Sequence, residues 1–218
     1  CYGVLARTTG AIKIFDIIKY DKGLLIRYPS AEKPYQLPKL IQNKKMKWAY
    51  DEYNEIHKIL NINTVYKLND AVLEKRIKDV IMIDEALHEK KIANIADKIA
   101  RDKKVKMILI AGPSSSGKTT FAQRLGIQLR VNKIKPVTIS VDNYFVERKD
   151  NPKDENGEYN FECIEAIDLK LFNDHLTRLL RGEKVEIPQF DFLDGTKKYN
   201  GNYLQLKDDE ILVIEGIH

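Results

Sequence analysis

Gly112-Pro113-Ser114-Ser115-Ser116-Gly117-Lys118-Thr119 fits G-x-x-x-x-G-K-[ST], the pattern of a phosphate-cradling loop. The apolar run Met107-Ile108-Leu109-Ile110-Ala111 leads into it, and Thr120-Phe121-Ala122-Gln123-Arg124-Leu125 leads out with helical character. Strand, glycine loop and helix in that order form the P-loop unit. Its glycines let the backbone curl until successive N–H groups face inward, and the following helix adds the positive end of its dipole. The residues expected to hold phosphate are therefore Gly112, Pro113, Ser114, Ser115, Ser116, Gly117, Lys118, Thr119 and Thr120. Lys118 would reach the β- and γ-phosphates, and the Thr119 hydroxyl would ligate Mg²⁺. A chance match in a chain this long is on the order of one in a hundred, and the flanking strand and helix lower that further. The expected ligand is a nucleoside triphosphate with Mg²⁺.

Outward from this loop, strand and helix signals alternate as an α/β sheet requires. Strands are predicted at 105–111, 136–141 and 210–215, and helices at 117–131 and 167–181, the second stopping at Gly182. The segment 189–206 is polar and aromatic, and Asn200-Gly201 reads as its hairpin turn. Upstream, residues 1–69 read as a small α+β module. In it Ala11–Phe15 and Leu24–Tyr28 are strands around the turn Asp21-Lys22-Gly23, and a helix over 46–60 offers Trp48, Tyr50, Tyr53, Ile56 and Leu60 as a face. Residues 70–104 look like a helical connector, with Ile81, Ile83, Leu87, Ile92, Ile95, Ala96 and Ile99 in helical spacing. The fold class is α/β: a P-loop NTPase-type parallel sheet over 105–218, preceded by the small α+β module. The missing initial Met and the stop at His218, just after a strand, read as a piece of a longer protein whose sheet is truncated.

The 218 residues are 43% hydrophobic and 32% charged, a globular composition. No stretch approaches the roughly 20 apolar residues of a membrane helix. Cys1 and Cys163 make no disulfide framework, so a reducing cytoplasm is expected. The net charge of +5 divides unevenly, +8 through Lys106 and −3 beyond it. A basic half could meet RNA, but its lysines are interleaved with acids, as on a solvated surface.

Two carboxylates stand where chemistry belongs. Asp142 follows the predicted strand Thr138–Val141, at the sheet edge where ligands sit in open α/β folds. There it can take the proton of an attacking hydroxyl or hold Mg²⁺ through water, whereas an ordinary role would be a helix cap. Glu215 ends the run Ile211-Leu212-Val213-Ile214 in the position of a metal-side acid, with Gly216 beside it. His57, His88 and His175 are expected on helix surfaces without metal-ligand spacing, His218 is a candidate for the site's lining, and Cys163 reads as a small core residue.

With these residues placed, 105–218 resembles the uridine kinase and phosphoribulokinase family. The likeness is carried by Gly112–Thr120, Val141-Asp142-Asn143-Tyr144-Phe145, Asn160-Phe161-Glu162, Ile187-Pro188-Gln189-Phe190-Asp191-Phe192 and Val213-Ile214-Glu215-Gly216-Ile217. It implies an ATP- and Mg²⁺-dependent kinase acting on a small molecule, a nucleoside. In that likeness Lys118 and Asp142 are catalytic, with Asp142 the base, and Thr119, Glu215 and Asp142 are metal-associated. Glu162 stands where the family holds ribose hydroxyls, and Tyr144, Phe161, Phe190 and Phe192 face the acceptor. The family's base-reading Tyr and His are Phe190 and Gly195 in this sequence, and the chain ends before the family's arginine-bearing lid. The N-terminal module is similar to a threonyl-tRNA synthetase N-terminal domain through Thr9-Gly10, Phe15, Gly23 and Arg27-Tyr28-Pro29-Ser30, but lacks its editing histidines.

Two other functions stay open from the sequence. One is an RNA-linked nucleotide-binding module using the basic N-terminal half. The other is a kinase of a phosphorylated sugar or another non-nucleoside metabolite. A homo-oligomer is compatible with all of them.

Overall fold

Asp21 takes φ +55° and reverses the chain between Asp16–Tyr20 (β1) and Gly23–Arg27 (β2), which pair antiparallel with Tyr20 opposite Gly23. The left-handed value is what a two-residue hairpin turn demands. A computed structural model of the chain underlies this description and covers residues 7–21, 23–41 and 43–217. Lys22 of the expected turn, with Cys1 and His218, lies outside the described residues. The strand expected at Ala11–Phe15 is not formed; Thr9–Ala11 is a 3-10 turn capped by Thr8, and β1 starts at Asp16. The turn sets the register, so only residues directly before Asp21 can pair with β2. An Arg27–Asp16 ion pair of 2.8 Å closes the open end of the hairpin.

Helix α1 (Lys44–Leu60) starts where Asn43 Oδ1 accepts from Met46 N and ends at left-handed Asn61. Helix α2 (Val65–Leu73) follows, and the first of two compact units, Cys1–Leu73, closes there. None of α1 is buried. Trp48, Tyr50 and Tyr53, read as available for one face, are all largely exposed.

The second unit, Glu74–His218, takes in the stretch expected as a connector. After a break at Lys75 (φ +60°), α3 (Ile77–Arg101) packs on α4 (Lys118–Val131). Ile92 and Ala96 are completely buried in one cluster with Ala122, Leu125 and Leu129. Polar contacts flank the seam: Glu89 accepts from Arg124 at 2.9 Å and from Gln128 at 2.7 Å, and Asp97 accepts from Asn132 at 2.8 Å. Because burying such a side chain is worth about 1.5–3 kcal/mol, α3 is a structural layer rather than a tether.

Met107–Ala111 (β3), Lys135–Ser140 (β4) and Glu210–Gly216 (β9) form a parallel sheet in the order β3-β9-β4. β9 is central and buried along almost its whole length, which explains its unbroken apolar run. Its side chains alternate between two cores. Ile211 and Val213 join α3 and α4, while Leu212 and Ile214 join the opposite core with Ile139, Phe145 and α5 (Leu169–Leu180). Helix α5 is capped by Asp168, which accepts from Leu171 N at 3.1 Å, and ends before Gly182 at φ +77°. Four short strands complete the unit. β5 (Val185–Glu186) pairs with β8 (Tyr203–Leu204), and β6 (Gln189–Asp191) with β7 (Thr196–Lys198). The tight hairpin therefore turns at 192–195 and not at Asn200-Gly201. Gly201 still has φ +74°, but it bends the chain toward β8.

His175, expected on a helix surface, is buried and hydrogen-bonded to the Tyr144 hydroxyl at 3.2 Å. Burial holds its imidazole below the ordinary value of 6.5 and pushes the Tyr144 phenol up. The folded state thus binds the His175 proton less readily than the unfolded chain, so its contribution is present above about pH 6.5 and lost as pH falls below it. The melting temperature should drop between pH 7.5 and 5.5, and drop less in His175→Gln; equal slopes would exclude His175 as the cause.

Candidate active site

The backbone of the glycine loop already has the curl that phosphate requires. Ala111 pairs with Gly216 across β3 and β9, and Gly112 N donates to Gly216 O at 3.3 Å, fixing where the loop leaves the sheet. Ser115 (φ +58°) and Gly117 (φ +82°) both take left-handed values, which turn neighbouring N–H groups into one concavity. Helix α4 begins at Lys118 with no side-chain cap, so its first N–H groups are open to an anion. A Cβ on Gly112 would lie 2.9 Å from Ser116 Oγ and 3.4 Å from Lys118 Cγ. Only a bare backbone lets the Lys118 stem pass so close. The Lys118 ammonium donates to Pro113 O at 2.9 Å, spanning the loop that it would share with a phosphate.

Behind the loop, the Thr119 hydroxyl donates to Glu215 Oε2 at 3.4 Å. Glu215 is buried in the central strand, flanked in register by Ile110 and Ser140. A hydroxyl and a carboxylate oxygen are the hard donors Mg²⁺ prefers, and Mg²⁺ commonly takes only one or two protein oxygens beside water and phosphate. Thr119 and Glu215 fit that ion. Among the described residues no three His, Cys, Asp or Glu side chains gather into another metal-holding group.

Asp142 lies in the 3-10 turn Val141–Tyr144 that β4 runs into, half-buried. This turn packs on the end of β9 so tightly that a Cβ on Gly216 would meet Val141 Cβ at 2.7 Å. Gly216 therefore sets how closely the Asp142 turn approaches the Glu215 strand. Gly216→Ala should destabilise the fold by about 1–3 kcal/mol, the usual cost of overpacking. An unchanged midpoint in urea would show that Val141 yields freely.

Three of the aromatics expected on the acceptor side converge around a residue not singled out for the site from the sequence. Phe145, buried, meets Phe161, Phe190 and Phe192 edge-to-face with ring centroids 5.4, 5.5 and 5.9 Å away. Phe190 is buried, Phe161 half-buried, and Phe192 is 55% exposed, leaving its ring available for stacking. Glu162, next to Phe161, is exposed. Tyr144, expected to face the acceptor, does not join them. Its ring is fully buried against Phe172 and His175, because the 3-10 turn sends it into the core below α5.

Arg148 is a second residue that went unnoticed in the sequence. Its main-chain N–H donates to Gly195 O at 2.8 Å, and its guanidinium donates to Phe192 O at 2.5 Å and Leu193 O at 3.2 Å. The signal available was Gly195, a lone glycine in a polar turn. His57 meets Tyr53 edge-on within the N-terminal unit, and exposed His88 lies 3.4 Å from Arg124. Cys163 is half-buried, its thiol on Asn160 O, and His218 lies outside the described residues.

Residues 107–218 match the model of the phosphoribulokinase / uridine kinase family. The uridine kinase of Mycoplasma genitalium is 32% identical over 116 residues, 53% of this chain and 53% of that protein. The uridine kinase of Schizosaccharomyces pombe is 35% identical over 117 residues, 53% of this chain and 25% of that one. The chain thus spans about half the length of the first relative and a quarter of the second. A solved structure described as a possible uridine kinase from Bacillus stearothermophilus superposes with a TM-score of 0.49 at 26% identity, covering 59% of this chain and 70% of that one. Among the described residues no helix is long and apolar enough to cross a membrane. With the glycine loop, the sheet-edge carboxylates and the family match all falling within its second unit, the chain belongs to the phosphoribulokinase / uridine kinase family.

Proposed function

We propose that this chain is an ATP-dependent kinase that transfers the γ-phosphoryl group to a hydroxyl of a nucleoside, uridine-like in size. The observation that supports it best is the Thr119–Glu215 contact directly behind the open N-terminus of α4, since it couples a phosphate cradle to a metal-side acid. The Lys118 ammonium leaves Pro113 O for the β- and γ-phosphates and neutralises charge that builds there during transfer. Asp142 accepts the acceptor's hydroxyl proton as the new O–P bond forms and the bond from the γ-phosphorus to the ADP oxygen breaks. Mg²⁺ held by Thr119 and Glu215, with Asp142 nearby, supplies further positive charge when bound. Phe192, with half-buried Phe161, holds the acceptor's planar part by stacking, buried Phe190 backs these rings from the core, and Glu162, next to Phe161, serves its sugar hydroxyls. The proximity term alone can be worth several kcal/mol, so holding the hydroxyl in line matters as much as the base.

The test is a substrate panel on the full-length protein with ATP and Mg²⁺: uridine, cytidine, two purine nucleosides and a sugar phosphate, read by ADP release and product mass. A nucleoside monophosphate is the expected product. Turnover with the sugar phosphate alone would overturn the acceptor class, and no turnover with any acceptor would overturn the kinase itself.

A further inference from the structure

The turn of the β6–β7 hairpin is latched from outside by one residue. Arg148 contributes three donors to it, the main-chain N–H to Gly195 O and the guanidinium to the carbonyls of Phe192 and Leu193. The fit is close on the other side as well. Gly195 is buried at φ +72°, and a Cβ there would stand 2.6 Å from Arg148 Cβ and 2.8 Å from Nε. The turn and the arginine therefore sit too close to admit a side chain at position 195. The hairpin's return strand is tied separately, through the Lys197–Asp168 ion pair at the cap of α5. What the latch holds is the carbonyl of Phe192 itself, and with it the exposed ring that packs on Phe145 and Phe190.

We propose that Arg148 is the positioning residue of the acceptor pocket, fixing the hairpin turn so that Phe192 is presented as a preset stacking surface. What the pocket accepts rests on the kinase function proposed above. The Arg148 side chain bonds to the hairpin and not to the glycine loop, so its loss weakens acceptor capture and leaves nucleotide handling intact. Without the latch, the turn must be ordered at the moment of binding, and that cost falls on affinity. Gly195 is the second half of the same contact. A side chain there meets both a left-handed backbone and the arginine, so Gly195→Ala pushes the turn away from Arg148.

The experiment uses the full-length protein with uridine as acceptor probe, comparing wild type, Arg148→Ala, Arg148→Lys, Gly195→Ala and the double variant. Arg148→Ala should raise the uridine KM by about tenfold or more, with kcat within about threefold and the ATP KM unchanged, as a loss of uniform binding predicts. Arg148→Lys, which can serve only part of the carbonyl set, should fall between. The double variant should be little worse than the worse single one, because both break one contact. Amide hydrogen exchange supplies a readout that needs no acceptor: residues 191–198 should exchange faster in Arg148→Ala while the glycine loop and α4 do not change. Unchanged exchange in the hairpin overturns the latch, and so does a fall in kcat with KM constant. Failure of the wild-type protein to phosphorylate uridine would instead count against the nucleoside assignment, and the exchange result then decides the latch.

Discussion

Lys118→Ala is expected to lose phosphoryl transfer by about 10³-fold or more, the scale on which a single cation at a transferring phosphoryl group acts. The ammonium makes one hydrogen bond in this structure, to the Pro113 carbonyl, and its stem lies over Gly112 in a space no side chain needs. Removing it costs the fold at most about 1 kcal/mol, since the carbonyl it releases can take water instead. Activity and stability should therefore separate cleanly: ADP release vanishes while the melting temperature stays within a few degrees. A variant that turns over as fast as wild type would sink the assignment of this loop as the catalytic phosphate site. One that unfolds would show that the lysine bridges the loop for structural reasons.

Asp142→Asn is the second large effect, a drop in kcat of about 10²–10⁴-fold with ATP affinity retained. The amide preserves the size of the side chain in its half-buried 3-10 turn but cannot accept the acceptor's proton. Thr119 and Glu215, proposed to hold Mg²⁺, are untouched, so nucleotide binding is the internal control. If the main consequence were a lower melting temperature with kcat preserved, Asp142 would be acting as a cap of its turn and another group would have to take the proton. Measuring kcat, the ATP dissociation constant and thermal stability on one preparation distinguishes these outcomes.

Much of this molecule was legible in the sequence because the relevant physics is local. The glycine loop between an apolar run and a helix specifies its own geometry, and β3, β4, β9 and α4 fall within a residue or two of their predicted spans. The unbroken apolar run of β9 announced a strand covered on both faces, and the acid at its end announced an edge where ligands belong. Local patterns misled where a partner decides the outcome. Ala11–Phe15 alternates like a strand, yet the hairpin register set at Asp21 left it unpaired. Asn200-Gly201 carries the stronger turn signal, yet the tight hairpin closes at 192–195, where Arg148 supplies donors from 44 to 47 residues upstream.

Taken alone, then, the sequence determined the phosphate loop, the order of strands and helices in the second unit, and the residue types at the sheet edge, because each depends on neighbours along the chain. Only the tertiary structure decided which side chains share a site and which support it. Tyr144 and Phe145 are adjacent, but the 3-10 turn sends the first into the core against His175 and makes the second the centre of the aromatic cluster. α3 reads as a connector until Ile92 and Ala96 are seen buried against α4. Periodicity records that a helix has an apolar side, whereas what covers that side depends on contacts between residues far apart in the chain.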